Sequence, residues 1–304
     1  MTRMALEGVA EPGAAETFYP AWWFEPFGIS VADLLKSEGF QILLKHLRPP
    51  LTCSANRSNK PFALPPGEPD GVLLVTPMVR SGLAVLMSEE SGTRTIRSMW
   101  PFVTEGTQQE VEIERVTLAP NRLEAMIDGV LPSGLAVTWH DVHFAADRAF
   151  YATGSVHEVL LAGIAHSVGV PENAPITIAA DNEAWSAIRA HTPENFNPDG
   201  SATLQTKGMA AMIPREGVSP ELCEVQGPVR KVEPYTGDLF RQPTWIVTVT
   251  VFRDADANGD LNLPVYVTEH VLAGRPLPGI GDDFGALVRL VGRIWQPNVR
   301  EAAR

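Results

Sequence analysis

The sequence has few cysteines and no apolar run long enough to cross a membrane. Its two cysteines, Cys53 and Cys223, lie far apart, and neither has a partner at C-x-x-C spacing. This spacing argues against a disulfide framework and against a zinc knuckle. The first residues also lack the apolar stretch of a signal peptide, and no later stretch approaches the roughly 18 apolar residues of a membrane span. These absences predict a cytoplasmic protein that does not enter a membrane.

Positive charge is also scarce. The chain has a net charge of -12 and a pI near 5.1. Residues 101–170 contain three arginines and nine carboxylates, and residues 220–298 contain seven cationic residues and ten carboxylates. General binding to nucleic acids or anionic membranes needs a cationic surplus, so both are disfavoured. One stretch is basic and lacks carboxylates; it contains Lys45, Arg48, Arg57 and Lys60. Solvated charge is its simpler interpretation, and a phosphate-binding patch is the alternative.

Motifs that would identify an enzyme class are missing as well. The sequence contains no H-E-x-x-H, G-x-S-x-G, Walker or G-x-G-x-x-G pattern. Cys53 stands near Arg57 and Lys60, which could activate a thiolate, but no cysteine-protease motif surrounds it. Catalysis is therefore less expected than binding.

The N-terminal part combines a tail, an aromatic segment and a helix. Residues 1–17 have no periodicity and predict a flexible tail. The segment FYPAWWFEPFG, residues 18–28, is expected to anchor a core through its rings. Ser30 stands three residues before Asp33 in a capping-box-like arrangement, which predicts a helix that breaks near Gly39 and ends before Pro49.

The remaining chain alternates between strand patterns and loops. Two short apolar runs, 71–79 and 81–90, predict strands or a hairpin. Four strand candidates then fall between 110 and 170, and four more between 225 and 296, separated by a proline-rich connector. Four strands within 70 residues imply a sheet that curls on itself.

We therefore predict a mainly β protein with minor α structure, built from two OB-like small β-barrels and an N-terminal helical, loop-rich region. The expected divisions are a flexible tail (1–17), an N-terminal helix and short strands (18–100), a first barrel (101–170), a connector or insertion (171–219) and a second barrel (220–298). Gly163 and Gly292 fall inside strands of the two barrels, where glycine usually marks a bulge or bend.

Two resemblances rest on the last strand. The spacing of Gly281, Asp282, Gly292 and Ile294 resembles a turn and strand of an OB-type barrel. The ending Gly292, Ile294, Trp295 and Gln296 is similar to that of a group of uncharacterised bacterial proteins with a G-x-I-W strand. The first resemblance implies the OB-like fold, and the second implies no activity.

The stretch RDADANGDLNLP, residues 253–264, raises the question of a metal. Asp254, Asp256, Asn258 and Asp260 place oxygens at alternate positions. An EF-hand needs a glutamate at its twelfth position and flanking helices, whereas Val265 occupies that position between strand-like sequences. Asn258-Gly259 instead favours a hairpin turn. No cofactor is predicted, and calcium at this loop is the minor alternative.

Titratable and aromatic residues are densest between 139 and 157. The speculative ligand-binding set is Trp139, Asp141, His143, Tyr151 and His157. If 139–144 were one strand, Asp141 and His143 would share a face and His140 would point to the other. Hydrogen-bonded structural histidines are the simpler interpretation.

Three functions remain open on the sequence. A binding or protein-interaction module, taking a protein or a small molecule, is favoured. The alternatives are an enzyme with an inter-domain carboxylate and histidine site, and an assembly protein that forms homo-oligomers.

Overall fold

A computed structural model of the chain describes residues 21–47, 70–77, 81–91, 93–119, 123–171, 174–182, 185, 189–190, 193, 196–215, 219–236, 242–253 and 259–295. The predicted tail and the residues Cys53, Arg48, Arg57 and Lys60 lie outside these residues.

The described chain is mainly β with few helices. Its helices are a 3-10 helix (Ala21–Phe27), α1 (Val31–Lys36), α2 (Glu38–Leu44), α3 (Phe144–Asp147), a second 3-10 helix (Arg148–Phe150) and α4 (Glu269–Leu272). Its strands are β1 (Asp70–Pro77), β2 (Ser81–Glu90), β3 (Thr93–Val103), β4 (Thr107–Leu118), β5 (Ala125–Val130), β6 (Ala136–Asp141), β7 (Val156–Gly169), β8 (Ile176–Ile178), β9 (Ala202–Leu204), β10 (Ala211–Pro214), β11 (Leu222–Pro234), β12 (Thr244–Phe252), β13 (Leu261–Thr268) and β14 (Asp283–Ile294).

The N-terminal layer follows local sequence signals closely. The Ser30 hydroxyl accepts a hydrogen bond from the Asp33 N–H at 3.3 Å, which is the predicted helix cap. The helix breaks at Ser37, two residues before the predicted Gly39, because the Ser37 backbone and hydroxyl both bond to the Leu34 carbonyl. The aromatic segment forms the first 3-10 helix, and its Trp23, Phe24 and Phe27 are buried as predicted.

A three-stranded antiparallel sheet, β1–β2–β3, completes this layer. β1 and β2 match the predicted hairpin, whereas β3 was not predicted. The layer packs on the rest of the protein through a core that contains Trp23, Trp100, Val142 and Val291.

The other main sheet has nine strands whose pairings close on themselves twice. What we call the first circuit joins β4, β5, β6, β14 and β7 in that order, and β7 pairs back to β4. The second circuit joins β11, β12, β13, β7 and β14 in that order, and β14 pairs back to β11. β7 and β14 belong to both circuits, so the pairings cross the predicted boundary between residues 101–170 and 220–298.

Two parallel pairings make this sharing possible. β6 runs parallel to β14, with His140 opposite Val291, and β13 runs parallel to β7, with Val265 opposite Gly163. The apolar side chains enclosed by the circuits form a second core, drawn from both; it includes Ile127, Trp139, Leu161, Val247 and Val288.

Gly163 and Gly292 lie within β7 and β14, as the sequence predicts, but the bulge between these two strands falls at neither glycine. A Cβ at Gly292 would lie 2.7 Å from Trp139 Cδ1, so the close approach of the indole ring requires glycine there. A Cβ at Gly163 would meet only ordinary contacts, at 3.4 Å or more. The irregularity in the β7–β14 ladder falls at His166, because Leu287 pairs with Ser167 and Val288 with Ala165.

Candidate functional site

The predicted ligand-binding residues divide into a buried pair and a partly exposed pair, with Trp139 in the core. Trp139, Asp141 and His143 are each at most 1% exposed. β6 ends at Asp141, and His143 stands in the turn before α3, so the expectation that 139–144 is a single strand was wrong. The turn arises because Asp141 Oδ1 accepts the His143 N–H at 2.6 Å, which bends the chain toward the helix.

Asp141 and His143 lie in a buried group of titratable side chains with Asp147 and Arg293. Burial raises the pKa of Asp141 well above its usual value, and the nearby Asp147 raises it further, while Arg293 opposes this. Burial, then Arg293, lower the pKa of His143 well below its usual value. Both residues are therefore held toward their neutral forms in a place that substrate does not reach from solvent.

Tyr151 and His157 form a separate, half-buried pair. Their ring centroids lie 6.4 Å apart, and Phe144 packs beside Tyr151 at 5.7 Å. The His157 Nε2 is 3.0 Å from the Ser155 hydroxyl. Within the described residues, no hydrogen bond or ring contact joins this pair to Asp141 or His143, so the five predicted residues do not converge on one site.

The acidic stretch at 253–264 connects β12 to β13, which pair antiparallel, so the predicted hairpin is present. Gly259 has a φ of +83°, the conformation for which glycine is suited. Asp254, Asp256 and Asn258 lie outside the described residues. Asp260 Oδ2 accepts a hydrogen bond from Arg230 Nη2 at 3.1 Å, so an arginine already neutralises this carboxylate. Among the described side chains, no group of three His, Cys, Asp or Glu residues is arranged to hold a metal ion.

A buried cluster centred on Arg289 was missed by the sequence analysis. Arg289 is 0% exposed and stacks over Trp23 with its guanidinium carbon 4.8 Å from the ring centroid. His140 lies against the same indole, with centroids 4.3 Å apart. Arg289 Nη2 donates to the Pro101 carbonyl at 3.3 Å, which ties β14 to the N-terminal layer. The signal in the sequence was a lone arginine within the apolar run ALVRLV, at a position where both neighbours are core residues.

Carboxylates balance the charge of this cluster. Burial lowers the pKa of Arg289 to about 10, while Glu221 and Glu124 act in the opposite direction. Burial raises the pKa of Glu221, and hydrogen bonding from Ser219, at 2.5 Å, opposes the rise. The cluster links the shared strand β14 to the layer above it, and the charges of two carboxylates act on its buried guanidinium.

An open groove lies on the outer face of the neighbouring strands β10, β11, β14 and β7, with a volume of about 340 Å³. Two rows of cross-strand partners make up its floor, because paired residues on adjacent strands present their side chains to the same face. One row is Ile213, Glu224, Leu287 and Ser167; the other is Ala211, Gln226, Gly285 and Gly169. Two adjacent glycines in the second row add no side chain to the floor, and Pro171 packs over Gly285, where a Cβ would lie 3.1 Å from the Pro171 Cγ.

Apolar side chains at the groove remain in contact with solvent. Val170 is 85% exposed and Ile213 is 57% exposed. Met209, Pro171 and Leu287 contribute further apolar surface. A Cβ at Gly169 would meet no atom within 4 Å, so the space above this glycine is open. Exposed apolar surface gathered in a concavity is typical of a site that binds another molecule.

The edge strand β10 bounds the groove on one side and is poorly suited to pairing with a further strand. The Arg215 N–H donates to the Leu222 carbonyl at 2.9 Å, so the alternation of the ladder turns the backbone groups of Met212 and Pro214 outward. Pro214 has no N–H to offer, which is the usual place for proline in an edge strand. The groove is therefore better suited to molecules that lie across its face than to an added strand.

No protein-family model matches the sequence, and no curated protein matches it. Among solved structures, the cytoplasmic molybdate-binding protein ModG, in a form with molybdate bound, is similar over 64% of this chain and 99% of its own, with 12% identity and a TM-score of 0.29. None of the helices in the described residues is both long and apolar enough to span a membrane.

Proposed function

We propose that this protein is a binding module, and that the groove across β10, β11, β14 and β7 receives an apolar ligand. The observation that carries the proposal is the combination of exposed apolar side chains, Val170 and Ile213, with open space above Gly169 in the floor of the groove. The volume of the groove falls in the range of small-molecule sites, about 300–1,000 Å³.

The architecture that we propose beneath the groove is a pair of OB-like barrels that share two strands. Two closed circuits of five strands, each with one parallel pairing, support this proposal. The groove then lies where β7 and β14 extend along the second barrel beside β11. A site on paired long strands has a rigid floor, which reduces the ordering cost of binding.

The alternative of an inter-domain enzyme site has less support. Its proposed carboxylate and histidine, Asp141 and His143, are at most 1% exposed, and Tyr151 and His157 lie elsewhere. A general acid or base must reach a proton of the substrate. The groove also offers little for catalysis, since its titratable side chains are Arg215 and Glu224.

A neutral fluorescent probe, N-phenyl-1-naphthylamine, tests the proposal because its emission rises in an apolar site. We expect saturable binding that is lost in Gly169→Phe, which places a ring in the open floor, and weakened in Ile213→Ser. Ile176→Ser is the matched control: Ile176 is 50% exposed, close to the 57% of Ile213, but it does not line the groove.

The variants also separate the groove from other surfaces. If the probe binds all three variants as it binds the original protein, the ligand site lies elsewhere and the proposal is wrong. Circular dichroism of each variant, compared with the original, verifies that loss of binding does not come from loss of the fold.

A further inference from the structure

We infer that the ligand of the groove is an amphipathic acid, a small molecule with an apolar body and a carboxylate. This inference rests on the proposed function and adds the charge of the ligand to it. It follows from one arginine that lines the groove and two that lie beside it, in a chain whose overall charge is strongly negative.

One arginine stands at the β7 side of the groove. Arg275 is exposed, and its Nη1 donates to the carbonyl of Val168, which lines the groove. A guanidinium has five N–H groups in a planar fork, so one bond to a carbonyl leaves others available. The side chain is thus held beside Val168, and N–H groups that do not take part in this bond can donate to a ligand.

A second arginine stands at the opposite side, beside the start of β10. Arg253 is exposed, and its Nη2 donates to the Gly208 carbonyl at 2.9 Å. Gly208 precedes Met209, which lines the groove. Arg253 and Arg275 therefore flank the four strands from both sides.

The carboxylates nearby leave this positive charge only partly balanced. Both oxygens of Asp283 accept the Gly208 N–H, at 3.0 and 3.1 Å. Glu224 faces Arg215 at 3.9 Å, with side chains 64% and 47% exposed, so each largely offsets the other. Among the described residues that line the groove or bond to Val168 or Gly208, three arginines thus meet two carboxylates, although the chain as a whole carries -12. Such a rim favours an anionic group next to an apolar body.

Competition against the neutral probe tests the inference with three ligands whose alkyl chains have about nine or ten carbons: decanoate, decanol and decyltrimethylammonium. Their apolar bodies match to within one methylene, so the head group is the main difference. We expect decanoate to compete about three- to tenfold more strongly than decanol, and the cation to compete least, since exposed ion pairs contribute modestly. Added salt should reduce the preference for decanoate, because it screens exposed charges.

Arginine variants localise the effect. Arg275→Gln and Arg253→Gln should each lower the preference for decanoate over decanol. Arg230→Gln is the control, since it removes the same charge from an arginine that is 47% exposed and bonded to Asp260, away from the groove. That variant should keep the preference.

The outcomes distinguish this inference from the proposed function. If the probe binds and the three ligands compete equally, the groove takes apolar ligands without regard to charge, and the inference is wrong while the function stands. If decanol or the cation competes best, the inference is likewise overturned. If the probe does not bind the groove at all, the proposed function itself fails.

Discussion

Acid should destabilise this protein through His166, the bulged residue of β7. Burial, and then the nearby Arg289, lower the pKa of His166 from 6.5 to about 3. The folded protein therefore keeps this ring neutral, while the unfolded chain takes up a proton as the pH falls below 6.5. Unfolding is then coupled to proton uptake, so the contribution of His166 to stability is complete above pH 7 and decreases as the pH falls toward 3.

The magnitude follows from the two pKa values. Between pH 7 and pH 5, a histidine with pKa 6.5 unfolded and about 3 folded lowers the free energy of unfolding by about 2 kcal/mol. Burial acts in the same direction on His140 and His143. Asp141 and Glu221 act in the opposite direction, because burial raises their pKa values and the folded state then gains from acid.

A variant isolates the contribution of His166 from these other groups. His166→Gln keeps a polar side chain beside Trp22, whose ring lies 5.3 Å from the imidazole, but it does not titrate. Urea unfolding of both proteins should show that the original loses about 2 kcal/mol more than the variant between pH 7 and pH 5. Above pH 7 the two stability curves should run parallel. Equal losses on acidification would refute the reasoning.

Four further predictions concern other parts of the chain. Arg289→Met removes the buried cation whose charge offsets those of Glu221 and Glu124 and should cost about 3–5 kcal/mol in urea unfolding, whereas adding Glu221→Gln should recover part of it; additive losses would contradict this. Gly227→Ala should cost about 2–4 kcal/mol, because its Cβ would lie 1.8 Å from the Thr250 carbonyl oxygen; Gly169→Ala, with open space, should cost less than about 1 kcal/mol. Burial raises the pKa of Cys223 to about 12, so iodoacetamide should modify it only after unfolding, as mass spectrometry of the digested protein would show. Millimolar calcium should leave Tm unchanged if 253–264 only turns the chain; a rise in Tm would instead support a calcium site.

The strands were predictable because their patterns are local. Alternation in EVEIERVTL and β-branched residues in WIVTVTVF identify β4 and β12 without knowledge of their partners. The helix cap at Ser30 depends on an N–H only three residues away, and the positive φ of Gly259 depends on its own lack of a Cβ. β3 was missed because Arg94, Arg97 and Pro101 interrupt its apolar residues, and its burial is set by β2 and the first 3-10 helix.

The candidate site was less predictable because it depends on which strands become neighbours. The floor of the groove joins residues from four separate segments, and its two glycines matter only when β7 and β14 pair. The same limit applies to Arg289, whose partners Trp23, Pro101 and Glu221 come from distant parts of the sequence. By contrast, the density of titratable and aromatic residues between 139 and 157 was visible in the sequence, but β6 ends in a turn at Asp141, and the residues on either side of this turn do not form one site.

The sharing of β7 and β14 explains why each circuit has one strand more than the predicted block that supplies most of it. Each predicted block supplies four strands, but each circuit has five, and the fifth is the last strand of the other block. β7 and β14, with 14 and 12 residues, are long enough to serve both circuits at once. β7 pairs with β4 through its first half and with β13 further along, while β14 pairs with β11 through its first half and with β6 near its end. Neither block can therefore complete its circuit alone, and we expect the two to unfold together in a single cooperative transition.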